Sequence, residues 1–178
     1  MSPRRQSSAP APPLLEERLL DAAAAAVALH GPARTTMDDV ARAAGCARQT
    51  IYKHFATKDE LLTALFLREV ERYLLALRQA LERRRTERGR YDHSDLEEAF
   101  VYTLGYLRGH PVVGRILADP EGMLSVLALG RGSVLEAVTQ GVDRVLAALA
   151  REGALREVEG VLVGEVFVRL IASFLLLP

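Results

Sequence analysis

Six of the seven residues from Arg48 to His54 carry hydrogen-bonding side chains: Arg48, Gln49, Thr50, Tyr52, Lys53 and His54. Residues of these types, crowded into about two helical turns, match the chemistry of a DNA duplex. A guanidinium can donate two parallel hydrogen bonds to guanine, a Gln carboxamide can pair with adenine, and a Thr methyl can touch the thymine methyl. Tyr52, Lys53, His54 and, a little further on, Lys58 suit phosphate oxygens, which fix register without reading sequence. The competing reading is a solvated helical face. The row alone does not separate the two, so the elements that would hold it must.

Those elements run from Thr35 to Leu61. Thr36 is a good N-cap, because its hydroxyl can accept a bond from an orphan N–H at a helix start. Asp39, three residues on, can reach back and also meets the positive end of the helix dipole. Met37, Val40, Ala41 and Ala44 then share one helical face, and Gly45 ends the helix, since Gly adopts the left-handed conformation without a Cβ clash. Cys46 to Phe55 reads as a second short helix with Cys46, Ile51 and Phe55 on its apolar side. Thr57-Lys58-Asp59-Glu60 is a capping box opening a third helix. Two short helices joined at a Gly turn, the second presenting the polar row, form a helix-turn-helix.

This stretch resembles the DNA-binding domain of the TetR family of bacterial transcriptional regulators. The resemblance is carried by Arg34-Thr35-Thr36-Met37, by Val40-Ala41-Arg42-Ala43-Ala44-Gly45, by Thr50-Ile51-Tyr52-Lys53-His54-Phe55 and by Lys58-Asp59-Glu60-Leu61. It covers residues 14 to 66 and implies that Thr36, Arg48, Gln49, Thr50, Tyr52, His54 and Lys58 face DNA. With Thr35 and Lys53 added, these make up the candidate DNA-contacting set. The chain departs from the family pattern at Ala47, where Ser commonly caps the recognition helix, at Val27, where a bulky aromatic is usual, and at Pro32, where Tyr or Phe is usual.

Charge is distributed to suit this. The net charge is zero, but residues 1–58 hold 8 Lys+Arg against 5 Asp+Glu, while residues 59–178 hold 15 against 18. Both lysines of the chain, Lys53 and Lys58, lie in the segment expected to face DNA. Hydrophobic residues at 49% are ample for a core, no stretch approaches the ~20 apolar residues of a membrane span, and Met1 to Pro13 lacks the apolar core of a signal peptide. A lone cysteine, Cys46, makes no internal disulfide. A cytoplasmic protein is expected.

Taken in order, residues 1–13 read as a disordered tail, with Arg4-Arg5 as a possible basic arm. Leu14 to His30 forms a helix with Leu15, Leu19, Ala23, Ala26 and Val27 inward, ended by Gly31-Pro32. Lys58 to Arg88 forms one helix of ~45 Å, striped by Leu62, Phe66, Val70, Tyr73, Leu77 and Leu81. Ser94, with Glu97, is expected to cap the next helix, which stacks Phe100, Tyr102 and Tyr106. Short helices at 112–118 and 121–129 lie between breakers. The helix at 133–151 carries a seam of Leu135, Val138, Val142, Val145 and Leu149, and that at 159–177 a seam of Val163, Phe167, Leu170, Phe174 and Leu177, spacings typical of packed helix pairs. The expectation is therefore an all-α chain of about nine helices. An N-terminal three-helix helix-turn-helix domain (14–66, motif 36–55) is joined by the long helix to a helical ligand-binding and dimerisation domain (67–178). The two seams, Leu177 apart, are the expected dimer interface, and the resemblance implies the same arrangement.

No HExxH, P-loop, GxSxG or dinucleotide fingerprint is present in the sequence, and the histidines His30, His54, His93 and His110 do not form a metal-ligand set. No enzyme activity, cofactor or metal is expected. The reading is a homodimeric repressor on a palindromic DNA operator, released by a small apolar effector for which Phe100, Tyr102, Tyr106, Met123, Leu127 and Phe167 are candidate lining. The rivals are a helical interaction module that keeps the head without touching DNA, and a helical enzyme.

Overall fold

The computed structural model describes residues 14–92, 94–117 and 128–151, with Val126, Val166, Arg169, Leu170 and Ser173 as single positions. The expected tail at 1–13 and most of the expected helices at 121–129 and 159–177 lie outside these residues, and with them Met123, Leu127, Val163, Phe167 and Phe174.

Apolar residues at helical spacing account for each element. Leu19, Leu20, Ala22, Ala23 and Val27 are buried along α1 (Leu15–His30), which Gly31 ends with φ of 80°. Two short helices follow, α2 (Met37–Ala43) and α3 (Arg48–His54), and then α4 (Lys58–Arg88), 31 residues long. The expected α4 stripe is inside: Leu62, Phe66, Tyr73, Leu77 and Leu81 are buried and Val70 is half-buried. After α4 come α5 (Ser94–Gly109), α6 (Pro111–Leu117), a tight 3-10 turn (Leu129–Gly132) and α7 (Ser133–Arg151). Pro111 opens α6 at the one position where a missing N–H costs a helix nothing. Among the described residues all regular structure is helical, as expected of an all-α chain.

The main core runs from Leu19 to Phe66 and takes in Val112 and Ile116 of α6, then Val126, Leu129 and Val134. The N-terminal helices therefore share one core with α6 and the tight turn. That turn holds Gly130 and Arg131, both with φ of 57°, and a Cβ on Gly130 would lie 2.8 Å from the Thr63 methyl of α4. Gly130→Ala is expected to cost about 1–2 kcal/mol, the left-handed penalty of an L-residue, measurable as a lower urea midpoint with an unchanged slope.

Not everything inside is apolar. Arg68 and Glu69 of α4 are buried. Arg68 donates to Asp21 at 2.9 Å, to Glu17 at 3.3 Å and to Glu69 at 3.0 Å. Glu69 also faces Arg72 at 3.3 Å and His110, between α5 and α6, at 3.3 Å. One ionic cluster thus ties α1, α4 and the α5–α6 junction together.

The beginning of α5 differs from expectation. Asp92 accepts from the N–H and the hydroxyl of Ser94, and Asp95 accepts from the Asp92 N–H at 2.7 Å. The reciprocal pair is Asp92–Asp95 rather than Ser94–Glu97, because Arg84 also anchors the fully buried Asp95 at 3.0 Å.

The α5 aromatics are occupied by packing. Tyr106 lies 5.2 Å from Tyr73, 6.2 Å from Tyr102 and 5.2 Å from His110, centroid to centroid. Tyr73 shares a hydrogen bond of 2.6 Å with Thr103, and burial pushes its phenol up to about 12. Phe100 packs on the cluster around Val142 and Leu146. A groove of about 640 Å³ does run between α4 and α7, walled by Leu74, Leu75, Leu81, Val145 and Ala148 with Arg78 and Arg144 at its edges. The expected lining residues Phe100, Tyr102 and Tyr106 are not in its wall; they pack in the clusters around Tyr73 and Val142.

The α7 seam is largely used within its own chain. Val142 and Leu149 are buried in their own chain, against α5 and α4, and Val138 and Val145 pack beside them. Gly141 explains why: its surface lies so close to Leu74 of α4 that a Cβ would overlap the Leu74 methyls. Of that seam only Leu135 is exposed, at 42%.

Candidate nucleic-acid interface

Local chemistry fixes the two short helices before any tertiary contact does. The Thr36 hydroxyl accepts from the Asp39 N–H at 3.2 Å and donates to the Asp39 carboxylate at 2.6 Å, closing the start of α2. That bond and Arg42, 2.8 Å away, hold the Asp39 carboxyl below the usual carboxylate range. At the other end of α2, the Arg18 guanidinium of α1 donates to the Ala44 carbonyl, an acceptor that the helix leaves without an internal partner. Gly45 then turns the chain with φ of 66°.

The Ala47 side chain makes no cap bond, so α3 begins without one, as its sequence implies. What holds α3 is apolar: Ile51 and Phe55 are buried beside Val40, Ala41 and Ala44, and Cys46 packs at the edge of the same core. Burying one side of a seven-residue helix dictates what the other side shows. Arg48, Gln49, Tyr52, Lys53 and His54 are exposed and Thr50 is half-buried. At the beginning of α4, Thr57 accepts from the Glu60 N–H at 3.1 Å and Glu60 accepts from the Ala56 N–H at 2.7 Å. Lys58 donates to the Ala33 carbonyl at 2.8 Å, bracing the α1–α2 loop against α4.

Of the candidate set, Thr36 is exposed like the α3 residues and Lys58 is half-buried like Thr50; there is one exception. Thr35 is buried at 1% exposure and its hydroxyl donates to the Gly31 carbonyl at 2.9 Å. Its hydroxyl is used to close the turn after α1, and Thr35 is withdrawn from the DNA-contacting set.

Two features of this surface are not among the sequence expectations. Arg48 donates to Asp38 of α2 at 2.9 Å, and its guanidinium lies 5.6 Å from the centroid of the Tyr52 ring. The available signal was electrostatic: a cation at the first residue of an uncapped helix, opposed by the dipole, needs an acid nearby.

Known proteins agree with this geometry. Residues 19–65 match the family described as bacterial regulatory proteins, tetR family. Over that segment the chain is of the tetR type. A tetR-type head spanning α1 to α4 accounts for the placement of the polar row. An uncharacterized HTH-type transcriptional regulator of Mycobacterium tuberculosis is 41% identical over 59 residues, 33% of this chain and 29% of that protein. The probable acrEF/envCD operon repressor of Escherichia coli is 30% identical over 96 residues, 53% of this chain and 41% of that protein. The chain thus spans less than half the length of these curated relatives. Over the whole fold, the fatty acid degradation regulator FadR of Bacillus halodurans superposes with a TM-score of 0.66 at 20% identity, covering 93% of this chain and 84% of that one. The likeness of fold to this neighbour therefore extends past the head, while the family match is confined to residues 19–65.

No group of His, Cys, Asp and Glu among the described residues could hold a metal ion, and no helix there is long and apolar enough to cross a membrane.

Proposed function

We propose that this chain is a cytoplasmic, homodimeric transcriptional repressor. Its two α3 helices enter successive major grooves of a palindromic operator, and a small apolar ligand in the C-terminal body releases it. The observation that carries the reading is the division of α3: Ile51 is fully buried, while Arg48, Gln49, Tyr52, Lys53 and His54 on the same two turns face outward. An α-helix fits the major groove, and two-fold symmetry sets half-sites about one helical turn, or a multiple of it, apart.

The head comprises residues 14–66 and the body residues 67–178. Pairing of bodies draws support from Leu135, Val166 and Leu170, apolar side chains exposed at 42%, 47% and 46%. Sedimentation velocity across a concentration series tests it: a dimer is expected, and a monomer at all concentrations contradicts it. For the effector, the α4–α7 groove supplies apolar walls. The ionic cluster of Arg68, Glu69 and His110 supplies a route from body to head, because it joins α4 to both α1 and the α5–α6 junction. Coupling of about 1–3 kcal/mol would change operator affinity about 5–150-fold.

The contacts divide by role. Lys58 at the beginning of α4 serves a phosphate, so Lys58→Ala is expected to weaken binding to every duplex alike and reduce the salt slope by about 1. Titration of the variant on a selected and a scrambled duplex at several salt concentrations checks this. A loss confined to the selected sequence would assign Lys58 to base reading instead.

A further inference from the structure

Asp38, an acid in the first turn of α2 that suits the dipole, takes no part in the side-chain cap of that helix. Thr36 and Asp39 already close the start of that helix, and Asp39 also takes Arg42. Asp38 instead crosses the turn to a residue ten positions on, Arg48, at 2.9 Å. Arg48 in turn sits where helix physics would not put it. It is the first residue of a helix without a side-chain cap, where the dipole favours acids and opposes cations. Neither residue is needed for stability either. Their side chains are 49% and 67% exposed, and ion pairs of that kind contribute little.

The consequence is positional. A guanidinium has five N–H donors in a fixed plane, and the bond to Asp38 uses Nη1. The ring of Tyr52, one turn on, lies 5.6 Å from the same group. Asp38 thus occupies one donor of the fork and the Tyr52 ring lies beside the group, which leaves the other nitrogens, Nε and Nη2, for a base edge. An unheld Arg would reach the nearest phosphate, a contact blind to sequence. A carboxylate at its side repels phosphate and removes that alternative.

Resting on the DNA-binding reading above, we infer that Asp38 is a specificity-determining positioning residue, one that holds Arg48 for a base edge and keeps it off the backbone. It acts through Arg48 and does not itself read DNA.

The test uses the full chain and five proteins: wild type, Asp38→Asn, Asp38→Glu, Arg48→Ala and the double variant Asp38→Asn with Arg48→Ala. Probes are a duplex recovered by the wild type from a randomised library and a scrambled duplex of the same composition. For Asp38→Asn the expected result is a specificity ratio about 5–30-fold lower, within the range that one base contact provides. The loss arises through tighter scrambled binding with a salt slope steeper by about 1, the mark of one added phosphate contact. In the Arg48→Ala background the same change should leave the ratio unmoved. Asp38→Glu, which keeps the acid, should retain most of the wild-type ratio. Thermal midpoints of all five should agree to within a few degrees, as for an exposed pair.

Tightening by Asp38→Asn that is equal on both duplexes, or that persists without Arg48, would reduce Asp38 to a general negative charge and overturn the inference while leaving the DNA-binding reading intact. A wild type that recovers no duplex at low salt overturns that reading and the role of Asp38 with it.

Discussion

Arg68→Ala is expected to destabilise the fold by about 3–5 kcal/mol, the cost of leaving a buried charge without its partner. The Arg68 side chain is 9% exposed and that of Glu69 6%, and the two are 3.0 Å apart. With Arg68 gone, Glu69 keeps Arg72, itself half exposed, and His110, while Glu17 and Asp21 lose the cation that draws α1 onto α4. The energetic point is the mismatch, not the strength of the pair. Replacing both residues by apolar ones of similar size, Arg68→Met with Glu69→Leu, is therefore expected to restore most of the loss, since well-packed apolar replacements of buried ion pairs are often neutral. Urea unfolding of the single and double variants measures both effects. A single-variant cost within 1 kcal/mol would mean that water reaches the cluster and that it does not hold α1 to α4.

The second large effect is on recognition. Arg48→Ala is expected to cost about 1–3 kcal/mol at one base pair of the target, roughly 5–150-fold, while binding to unrelated sequence changes little. Arg48 has the geometry for this role: exposed, held by Asp38 at 2.9 Å, and close to the Tyr52 ring. Selection of preferred sequences by wild type and variant should show one base position relaxing on each half-site. A uniform drop across all sequences would assign Arg48 to the backbone, and equal losses for Arg48→Ala and Lys58→Ala on both duplexes would remove the division of labour between them.

Which parts of this were legible in the sequence follows from the range of the interactions involved. Thr36, Gly45 and Thr57 act within a few residues of themselves, so the caps and turn of the head could be read directly, and the ends of α4 fell at Lys58 and Arg88 as expected. The α4 stripe was legible because burial repeats with the helical period. Interactions between distant segments were not. Arg68 and Glu69 look like ordinary solvated charges on a long helix until α1 brings Glu17 and Asp21 to them. Thr35 looks as available as Thr36, and only the turn after α1 turns it inward. The α7 seam has the spacing of a helix–helix contact, and spacing does not say whose helix is on the other side. Gly141 against Leu74 shows that α4 of the same chain packs closely on α7.

The central claim is that the outward face of α3 is a surface for duplex DNA. Equilibrium binding of the wild-type chain to genomic fragments, against a scrambled duplex, from about 50 to 200 mM salt tests it most directly. The account predicts a preferred fragment and an affinity that falls linearly on a log–log plot of binding constant against salt, with each phosphate contact contributing a slope of about −0.9. Affinity absent at the lowest salt, or present but indifferent to both salt and sequence, would contradict it.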